Sequence, residues 1–291
     1  MSAVDARPTR LSQLVVEVPD PAATADFLER GLELVPVPSG GDSIAVLTTG
    51  GYGLPTPQRI LTLVPGAAAA LREVVLELPT DADALRQQVR ASGAEVEDVG
   101  GDEIAGPGFA TSAGGIRISV RATAPPLRAP LDPSALRPRR LGHVNLVSAD
   151  PSAVVSLMTD GLGLRLSEQV GDQIFFLRIG SEHHNIGVRT GTTAGAHHIA
   201  LEVHGWDSYR GLCDRLAGLG WLVEFGPGRH GPGNNFFVYV RDPSSGLRFE
   251  LFSDMAHIED EAIYVPHRWE LHERSTTVNR WGPGPPQSFL E

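Results

Sequence analysis

The amino-acid sequence predicts an α+β fold of four βαβββ modules, paired into two domains whose strongly curved sheets form open barrels. Two observations predict it. The chain contains an internal repeat at an offset of about 130 residues, and each repeat contains two successive strand–helix–strand–strand–strand patterns. Duplicated modules bury their apolar faces against one another and leave the helices outside. A curved sheet of this kind encloses a cavity onto which its inner face converges.

Each repeat opens with a strand and a capped helix. The segment LSQLVVEV precedes Asp20-Pro21, which predicts a helix N-cap followed by proline at the first helical position. This helix is expected to end near Arg30. In the second repeat, LGHVNLV precedes Asp150-Pro151 in the same arrangement.

The remaining elements of the two repeats also correspond. Alternating apolar residues and turn-forming Gly and Pro predict their strands, and helical periodicity predicts their helices. The matched pairs are strands 43–48 and 174–179, strands 59–64 and 183–189, strands 73–78 and 198–203, helices 81–92 and 206–218, and strands 115–120 and 246–252.

The repeat sets the domain boundaries. We predict a first domain over residues 1–121, a Pro/Arg-rich linker over 122–140, a second domain over 141–264 and a tail over 265–291. The tail is too rich in Pro and Gly to form a domain of its own. Because long ordered segments with aromatic residues often cover a neighbouring pocket, we expect this tail to cap the second barrel.

Composition excludes several classes of protein. The chain has no lysine, which removes Schiff-base chemistry and phosphate-loop nucleotide binding. A net charge of −11 argues against nucleic acid or an anionic membrane as partner. The one cysteine, Cys213, excludes internal disulfides and multi-thiolate metal sites. With no membrane-length apolar run and no signal-peptide pattern, we expect a cytoplasmic protein.

One carboxylate lies where an apolar residue is expected. Glu250 interrupts the strand Arg-Phe-Glu-Leu-Phe, and burying a carboxylate is costly unless it is paired or binds a metal. His143 and His198 occupy the middle of two other predicted strands, and all ten histidines follow residue 142. The corresponding positions of the first repeat hold Gln13, Glu73 and Ser119, which favours a chemical role for the histidines and the carboxylate over a packing role.

Two imidazoles and one carboxylate on one face of a metal leave three coordination positions open. That set is typical of non-haem Fe(II) oxygenases, and Mn(II) is a second suitable ion. We therefore predict a metal site formed by His143, His198 and Glu250. The alternative is that both histidines are satisfied core residues and that Glu250 pairs with Arg248 or Arg241.

Four segments resemble a known family: LGHVNL, EHHNIGV, GAHHIALEV and GRHGPGNNFFVYVRDPSSGLRFELF. They are similar to type I extradiol catechol dioxygenases of the vicinal-oxygen-chelate superfamily. RHGPGNNFF and the Arg/Trp-rich tail look most like the homoprotocatechuate 2,3-dioxygenase branch. One departure is that the segment from Asp-Pro to Glu250 is one residue longer than the usual form.

The resemblance implies the vicinal-oxygen-chelate fold, a homo-oligomer, and ring opening of a catecholic substrate with both atoms of O2 inserted. It also implies site roles. His184 matches the acid–base histidine, His230 a histidine that hydrogen-bonds the bound catecholate, and Tyr239 a tyrosine that donates to the same region. Weaker candidates for contacts with substrate or oxygen are Asn145 and Asn234. In the tail, Arg268 or Arg280 is expected to meet an anionic group of the substrate.

Two other functions are possible on this scaffold. A metal-dependent isomerase or lyase resembling glyoxalases uses four protein ligands, whereas only three are evident here. A metal-free binding protein resembling bleomycin-resistance proteins needs no ligand triad at all. Neither alternative explains His184, His230 and Tyr239.

Overall fold

The computed structural model describes residues 6–48, 58–79, 81–123, 136–273 and 277–290. The predicted linker therefore lies partly outside the described residues, as does most of the loop that joins the second and third predicted strands. No helix among the described residues is both long enough and apolar enough to cross a bilayer.

Residues 11–121 form one eight-stranded sheet. Its strands are β1 (Leu11–Val18), β2 (Val35–Pro38), β3 (Ile44–Thr48), β4 (Gln58–Pro65), β5 (Ala70–Glu77), β6 (Glu97–Val99), β7 (Gly108–Ala113) and β8 (Ile116–Arg121). Two helices lie between them, α1 (Pro21–Leu32) and α2 (Ala82–Ala91). The spatial order is β2-β3-β4-β1-β5-β8-β7-β6.

Residues 140–269 form a nine-stranded sheet. Its strands are β9 (Arg140–Ser148), β10 (Arg165–Val170), β11 (Ile174–Arg178), β12 (Ile186–Thr190), β13 (Gly195–Glu202), β14 (Val223–Arg229), β15 (Phe236–Arg241), β16 (Arg248–Ser253) and β17 (His267–Trp269). The helical elements are α3 (Pro151–Ser156) with a π-helical turn (Leu157–Gly161), α4 (Trp206–Gly218), single 3-10 turns (Pro232–Asn234 and Leu271–Glu273) and α5 (Gln287–Leu290).

The chain order confirms the four predicted βαβββ modules, and the two sheets confirm the predicted fold class. The spatial order of the second sheet is β14-β15-β16-β13-β9-β12-β11-β10-β17. In both sheets the first strands of the two modules pair antiparallel at the centre, and each also pairs parallel with the last strand of its own module. The second sheet thus repeats the first, with β17 added at one edge.

The helix caps confirm the predicted helix starts. The Asp20 side chain accepts hydrogen bonds from the backbone N–H groups of Ala22 and Ala23, and Asp150 accepts one from Ala153. Both aspartates precede a proline at the start of a helix. These bonds satisfy backbone donors that a helix leaves unpaired. Asp20 and Asp150 are therefore structural caps, as the sequence predicts.

Contacts between α1 and the fourth module join the two halves. The Phe27 ring lies 5.0 Å from the Trp221 ring and 6.0 Å from that of Phe249. The Thr24 hydroxyl donates to Asp242 Oδ2 at 2.8 Å, and both side chains are fully buried. Burial of a phenylalanine such as Phe27 contributes roughly 2 kcal/mol. One continuous apolar core thus extends through both halves.

One sequence prediction differs from the structure. Strand 183–189 begins at Ile186, so the prediction was wrong for His183 and His184, which lie in the connection between β11 and β12. Within the tail over 265–291, β17 pairs in parallel with β10, and the sequence analysis did not predict this strand. A three-residue strand at an edge carries no hydrophobic alternation that sequence inspection detects.

Candidate metal centre

The three predicted ligands lie on adjacent strands of the second sheet. Ala200 on β13 is the register partner of both His143 on β9 and Glu250 on β16. His198 precedes Ala200 by two residues, so it faces the same side of the sheet. All three ligand residues are buried, with 2%, 6% and 1% of His143, His198 and Glu250 exposed. The extra residue before Glu250 is absorbed in the turn, because Glu250 pairs directly with Tyr239.

The ligand atoms converge. His143 Nε2 lies 3.0 Å from Glu250 Oε2, and His198 Nε2 lies 3.1 Å from the same oxygen. One ligand atom from each residue lies within 4.8 Å of the others. Three octahedral ligands at about 2.1 Å from an ion and at right angles to one another are about 3.0 Å apart. The donor set and its spacing therefore fit a facially bound divalent Fe or Mn ion.

The charge states also suit a metal. Burial alone raises the pKa of Glu250, but the neighbouring His143 and the histidine nitrogens that face the carboxylate outweigh it and hold that pKa well below its usual value. Burial lowers the pKa of His198 to about 4, against an opposing effect of Glu250. The site thus supplies an ionised carboxylate and a neutral imidazole at neutral pH, the forms that bind metals.

Glu250 also accepts hydrogen bonds from outside the triad. The Tyr239 hydroxyl donates to Oε2 at 2.9 Å, and Asn235 Nδ2 donates to Oε1 at 3.0 Å. Neither arginine of the alternative prediction contacts Glu250 in the described structure, since Arg248 is bound to Glu224 instead. These bonds fix the carboxylate orientation, which tunes a metal site. Asn235 was missed at the sequence level, because its neighbour Asn234 matched the family motif.

A second histidine supports His198. His197 Nδ1 lies 2.8 Å from His198 Nδ1, and His197 Nε2 lies 2.9 Å from the carbonyl oxygen of Phe289 in α5. A carbonyl only accepts, so His197 carries its proton on Nε2 and accepts at Nδ1 from His198. That arrangement leaves the Nε2 lone pair of His198 for a metal. These contacts make His197 a partner of the metal ligand His198.

His230 and Tyr239 form a connected pair beside the triad. His230 Nδ1 donates to the Val278 carbonyl at 2.6 Å, and its Nε2 lies 2.9 Å from the Tyr239 hydroxyl. His230 Nε2 is also 3.5 Å from Glu250 Oε1. Burial first, and then the charge of Glu250, raise the pKa of Tyr239 well above its usual value. Tyr239 is therefore a neutral donor at the site.

His184 packs beside the ligand His143. Its ring centroid is 4.3 Å from that of His143, and its Nδ1 is 3.0 Å from Nδ1 of His183. Burial, followed by the neighbouring His143, lowers the pKa of His184 well below its usual value. The imidazole is thus neutral at neutral pH and available to accept a proton.

These side chains surround one cavity. Its polar lining includes the triad, His184, His230, Tyr239 and Asn145. Its apolar lining comes from the β10–β11 region and the tail: Val170, Ile174, Phe176, Val278, Pro285, Phe289 and Leu290. Arg189 is the one arginine among the described lining residues.

The four weaker candidates are placed differently. Asn145 lines the cavity, and its buried Oδ1 has no hydrogen-bond partner among the described residues. Asn234 is not among the described residues that line the cavity, and its Oδ1 accepts from Arg229 Nε at 2.9 Å and from Arg280 Nη1 at 3.4 Å. Arg268 pairs with Asp172 at the protein surface. Arg268 and Arg280 are not among the described residues that line the cavity, so their contact with substrate stays a prediction.

Comparisons with known proteins agree with this geometry. Residues 140–251 match the sequence profile of the Glyoxalase/Bleomycin resistance protein/Dioxygenase superfamily. The matched segment contains all three candidate ligands. This match confirms the resemblance drawn from the four sequence segments.

One curated relative and two solved structures are similar to most of the chain. The chain is 28% identical over 269 residues, 84% of each chain, to a manganese-dependent 2,3-dihydroxybiphenyl 1,2-dioxygenase of Geobacillus genomosp. 3. A Mn(II)-bound glyoxalase from Novosphingobium aromaticivorans superposes with a TM-score of 0.82 at 25% identity, covering 97% of this chain and 94% of its own. A homoprotocatechuate 2,3-dioxygenase variant from Brevibacterium fuscum gives 0.84 at 22% identity, covering 100% and 84%, and shows the fold alone.

Proposed function

We propose that the protein is an extradiol dioxygenase that opens a catecholic ring with O2 at a single Fe(II) or Mn(II) ion. The observation that carries this proposal is the combination of a three-ligand site with three further titratable side chains, His184, His230 and Tyr239, around one cavity. The relative of similar length, a manganese-dependent ring-cleaving dioxygenase, supports the same chemistry.

His143, His198 and Glu250 would hold the ion. When bound, the ion brings the catecholate and O2 into adjacent positions and allows electrons to pass between them. A catechol has to lose protons before both of its oxygens bind a cation. The neutral imidazole of His184, on the cavity wall beside His143, accepts such a proton and later returns it.

His230 and Tyr239 act on developing charge. Their mutual hydrogen bond of 2.9 Å and the anchoring of His230 to the Val278 carbonyl fix both groups before substrate arrives. The Tyr239 hydroxyl, held in place by His230, is then a preorganised donor that stabilises negative charge on a reacting oxygen. The unpartnered Oδ1 of Asn145, inside the same cavity, supports the prediction that Asn145 contacts substrate or oxygen.

The tail completes the apolar lining of the cavity together with β10 and β11. Its residues Val278, Phe289 and Leu290 line the wall, and its carbonyls hold His230 and His197. Apolar side chains from the tail exclude water, which strengthens the electrostatic contacts inside. These contacts support the predicted lid over the second barrel.

The similarity to a Mn(II)-bound glyoxalase favours one competing function, a metal-dependent isomerisation or lyase reaction. Among the described residues, the cluster that can hold a metal has three members and not the four expected of glyoxalases. That count, together with His184 in the cavity lining beside His143, favours the dioxygenase.

One experiment separates the two functions. Purified protein is loaded anaerobically with Fe(II) or Mn(II) and exposed to air with a panel of neutral and anionic catechols, while O2 uptake and product absorbance are recorded. We expect one O2 consumed per catechol and a yellow ring-opened product. His143→Ala is the control, which should lose both metal and turnover. Conversion of a thiohemiacetal by the loaded protein, without any O2 uptake on catechols, would establish the glyoxalase-type function instead.

A further inference from the structure

His183 and His184 form a buried pair in which a single proton joins the two Nδ1 atoms. Their Nδ1 atoms are 3.0 Å apart, and only 2% of His183 and 5% of His184 are exposed. One of the two Nδ1 atoms must donate and the other accept. Because a neutral imidazole carries one proton, the donor ring has a bare Nε2 and the acceptor ring a protonated Nε2.

The carboxylate of Glu168 decides which of the two rings donates from Nδ1 and which accepts. Glu168 on β10 places Oε1 3.5 Å from His183 Nε2, an ion-pair distance, and this buried nitrogen has no hydrogen-bond partner in the described ranges. The other oxygen of Glu168 accepts from the Trp269 indole N–H at 2.7 Å. A carboxylate has no proton to give, so it favours His183 with its proton on Nε2.

The tautomer of His184 follows. With its proton on Nε2, His183 accepts at Nδ1, and His184 must then donate from its own Nδ1. The remaining nitrogen of His184, Nε2, is left with a lone pair in a side chain that lines the metal cavity. That is the form required of a general base.

We propose that Glu168 and His183 are positioning residues that hold His184 in its Nδ1-protonated form, with the Nε2 lone pair available to the substrate. The inference rests on the proposed function for its catalytic meaning, although the tautomer itself is a property of the folded chain. Neither residue needs to contact the substrate. Neither residue was among the site residues predicted from the sequence.

The same device recurs at the metal ligand. His197 and His198 also meet through Nδ1 atoms, and there the acceptor beyond the pair is the Phe289 carbonyl. An acceptor-only group at the outer Nε2 leaves the inner histidine with a bare Nε2 in both pairs. The recurrence supports a common rule: an outer acceptor fixes the tautomer of the inner, functional histidine.

Trp269 makes the proposal testable with a near-isosteric change. In Glu168→Gln, the amide oxygen has to remain on Trp269, because the indole N–H only donates. The amide NH2 then faces His183 Nε2, which must become an acceptor. His183 would carry its proton on Nδ1 and donate it to His184, so His184 Nε2 becomes protonated and unable to accept.

The readout is the tautomer itself. Protein with 15N-labelled histidine, loaded with diamagnetic Zn(II), is examined by long-range 1H–15N NMR, with signals assigned from His183→Asn and His184→Asn. We expect the wild type to show His184 protonated at Nδ1, and E168Q to show it protonated at Nε2. In E168Q/W269F the amide is free to rotate, and the wild-type tautomer should return. W269F alone keeps the carboxylate and should match the wild type.

Turnover gives a second readout with the Fe(II) or Mn(II) enzyme. E168Q should lower kcat by about 100-fold, as expected when a general base is held in the wrong tautomer, with KM and metal content unchanged. E168Q/W269F should recover most of that loss, which a purely structural role of Glu168 does not predict. A wild-type His184 protonated at Nε2, or an E168Q variant with unaltered tautomer and kcat, would overturn the proposal. Tautomers that behave as expected in a protein without dioxygenase activity would leave it standing and refute the proposed function.

Discussion

In the first half of the chain, the position that corresponds to His143 holds Gln13, and the Gln13 amide is used for packing. Gln13 Nε2 donates to the Ile104 carbonyl at 2.7 Å, and its Oε1 accepts from Thr62 at 3.1 Å. The bond to Ile104 holds the loop over residues 101–106 against the inner face of the first sheet. Ala105 and Ile104 pack there against three valines of its inner face, Val15, Val64 and Val75.

The second half uses the equivalent surface for a cavity. The strand register shows the equivalence: Val15 pairs with Glu73 as Asn145 pairs with His198, and Val75 pairs with Ser119 as Ala200 pairs with Glu250. Two sheets with the same pairing thus carry different inner residues. Strand order and register therefore form without the metal-ligand residues, and those residues decide what the interior can bind.

The largest effect is expected from removing the shared carboxylate. Glu250→Gln replaces the anion that both ligand histidines approach, so metal affinity should fall by more than about 100-fold, beyond what loss of an outer partner costs. Competition with a fluorescent chelator measures this. Ser119→Ala, at the equivalent position of the first half, is the matched control and should leave affinity unchanged. Equal affinity of E250Q and wild type would remove Glu250 from the ligand set.

A grafted triad tests whether the first half is only missing its ligands. We expect Gln13→His, Glu73→His and Ser119→Glu together to bind no second ion, because the 101–106 loop already fills the interior. The new buried carboxylate would lack the hydrogen bonds that Tyr239 and Asn235 give to Glu250. It should therefore lower the free energy of unfolding by about 3 kcal/mol or more. Metal analysis and denaturant titration measure both quantities. Two ions per chain would contradict the role assigned to the loop.

Removing the support of His198 should have a smaller effect. His197→Phe keeps an aromatic ring but loses both hydrogen bonds, so metal affinity is expected to fall about 10- to 100-fold. His204→Phe is the control, since His204 is exposed and lies outside the cavity lining. An H197F protein that binds metal as tightly as H204F would show that His197 merely packs.

The smallest change concerns the tail. Phe289 packs against Tyr239 with a ring separation of 4.7 Å and is 6% exposed. Phe289→Ala opens the cavity while keeping the backbone carbonyl, so KM for the catechol should rise about 10-fold, equivalent to about 1.4 kcal/mol of binding. Ser288→Ala, whose carbonyl is retained, should behave as wild type. Unchanged KM in F289A would mean that the tail does not close over substrate.

Much of this arrangement could be predicted from the sequence. The internal repeat aligned Gln13 with His143 and Ser119 with Glu250, and the strand pairing reproduces that alignment. Asp20 and Asp150 marked the helix starts because capping depends on neighbours in the chain. The fold and the convergence of the ligands both rest on periodicity, which a sequence displays directly.

Other features depend on contacts between distant segments. The Nδ1–Nδ1 pairs require particular side-chain rotamers, and their outer acceptors, Glu168 and the Phe289 carbonyl, lie far away in the chain. The cavity arginine, Arg189, has no motif to distinguish it from Arg268 or Arg280. The doubled His-His dipeptides were the one visible sign that a second imidazole accompanies His184 and His198.

Ala200 has a consequence for redesign. It lies on β13, between the strands that carry His143 and Glu250, and its methyl group is fully buried on the sheet face that carries both ligands. Any bulkier side chain there would enter the space between those two ligands, and serine would add an oxygen to it. The separation of the coordinating atoms can therefore be adjusted from this single residue, which gives a handle on ion preference that leaves every coordinating group intact.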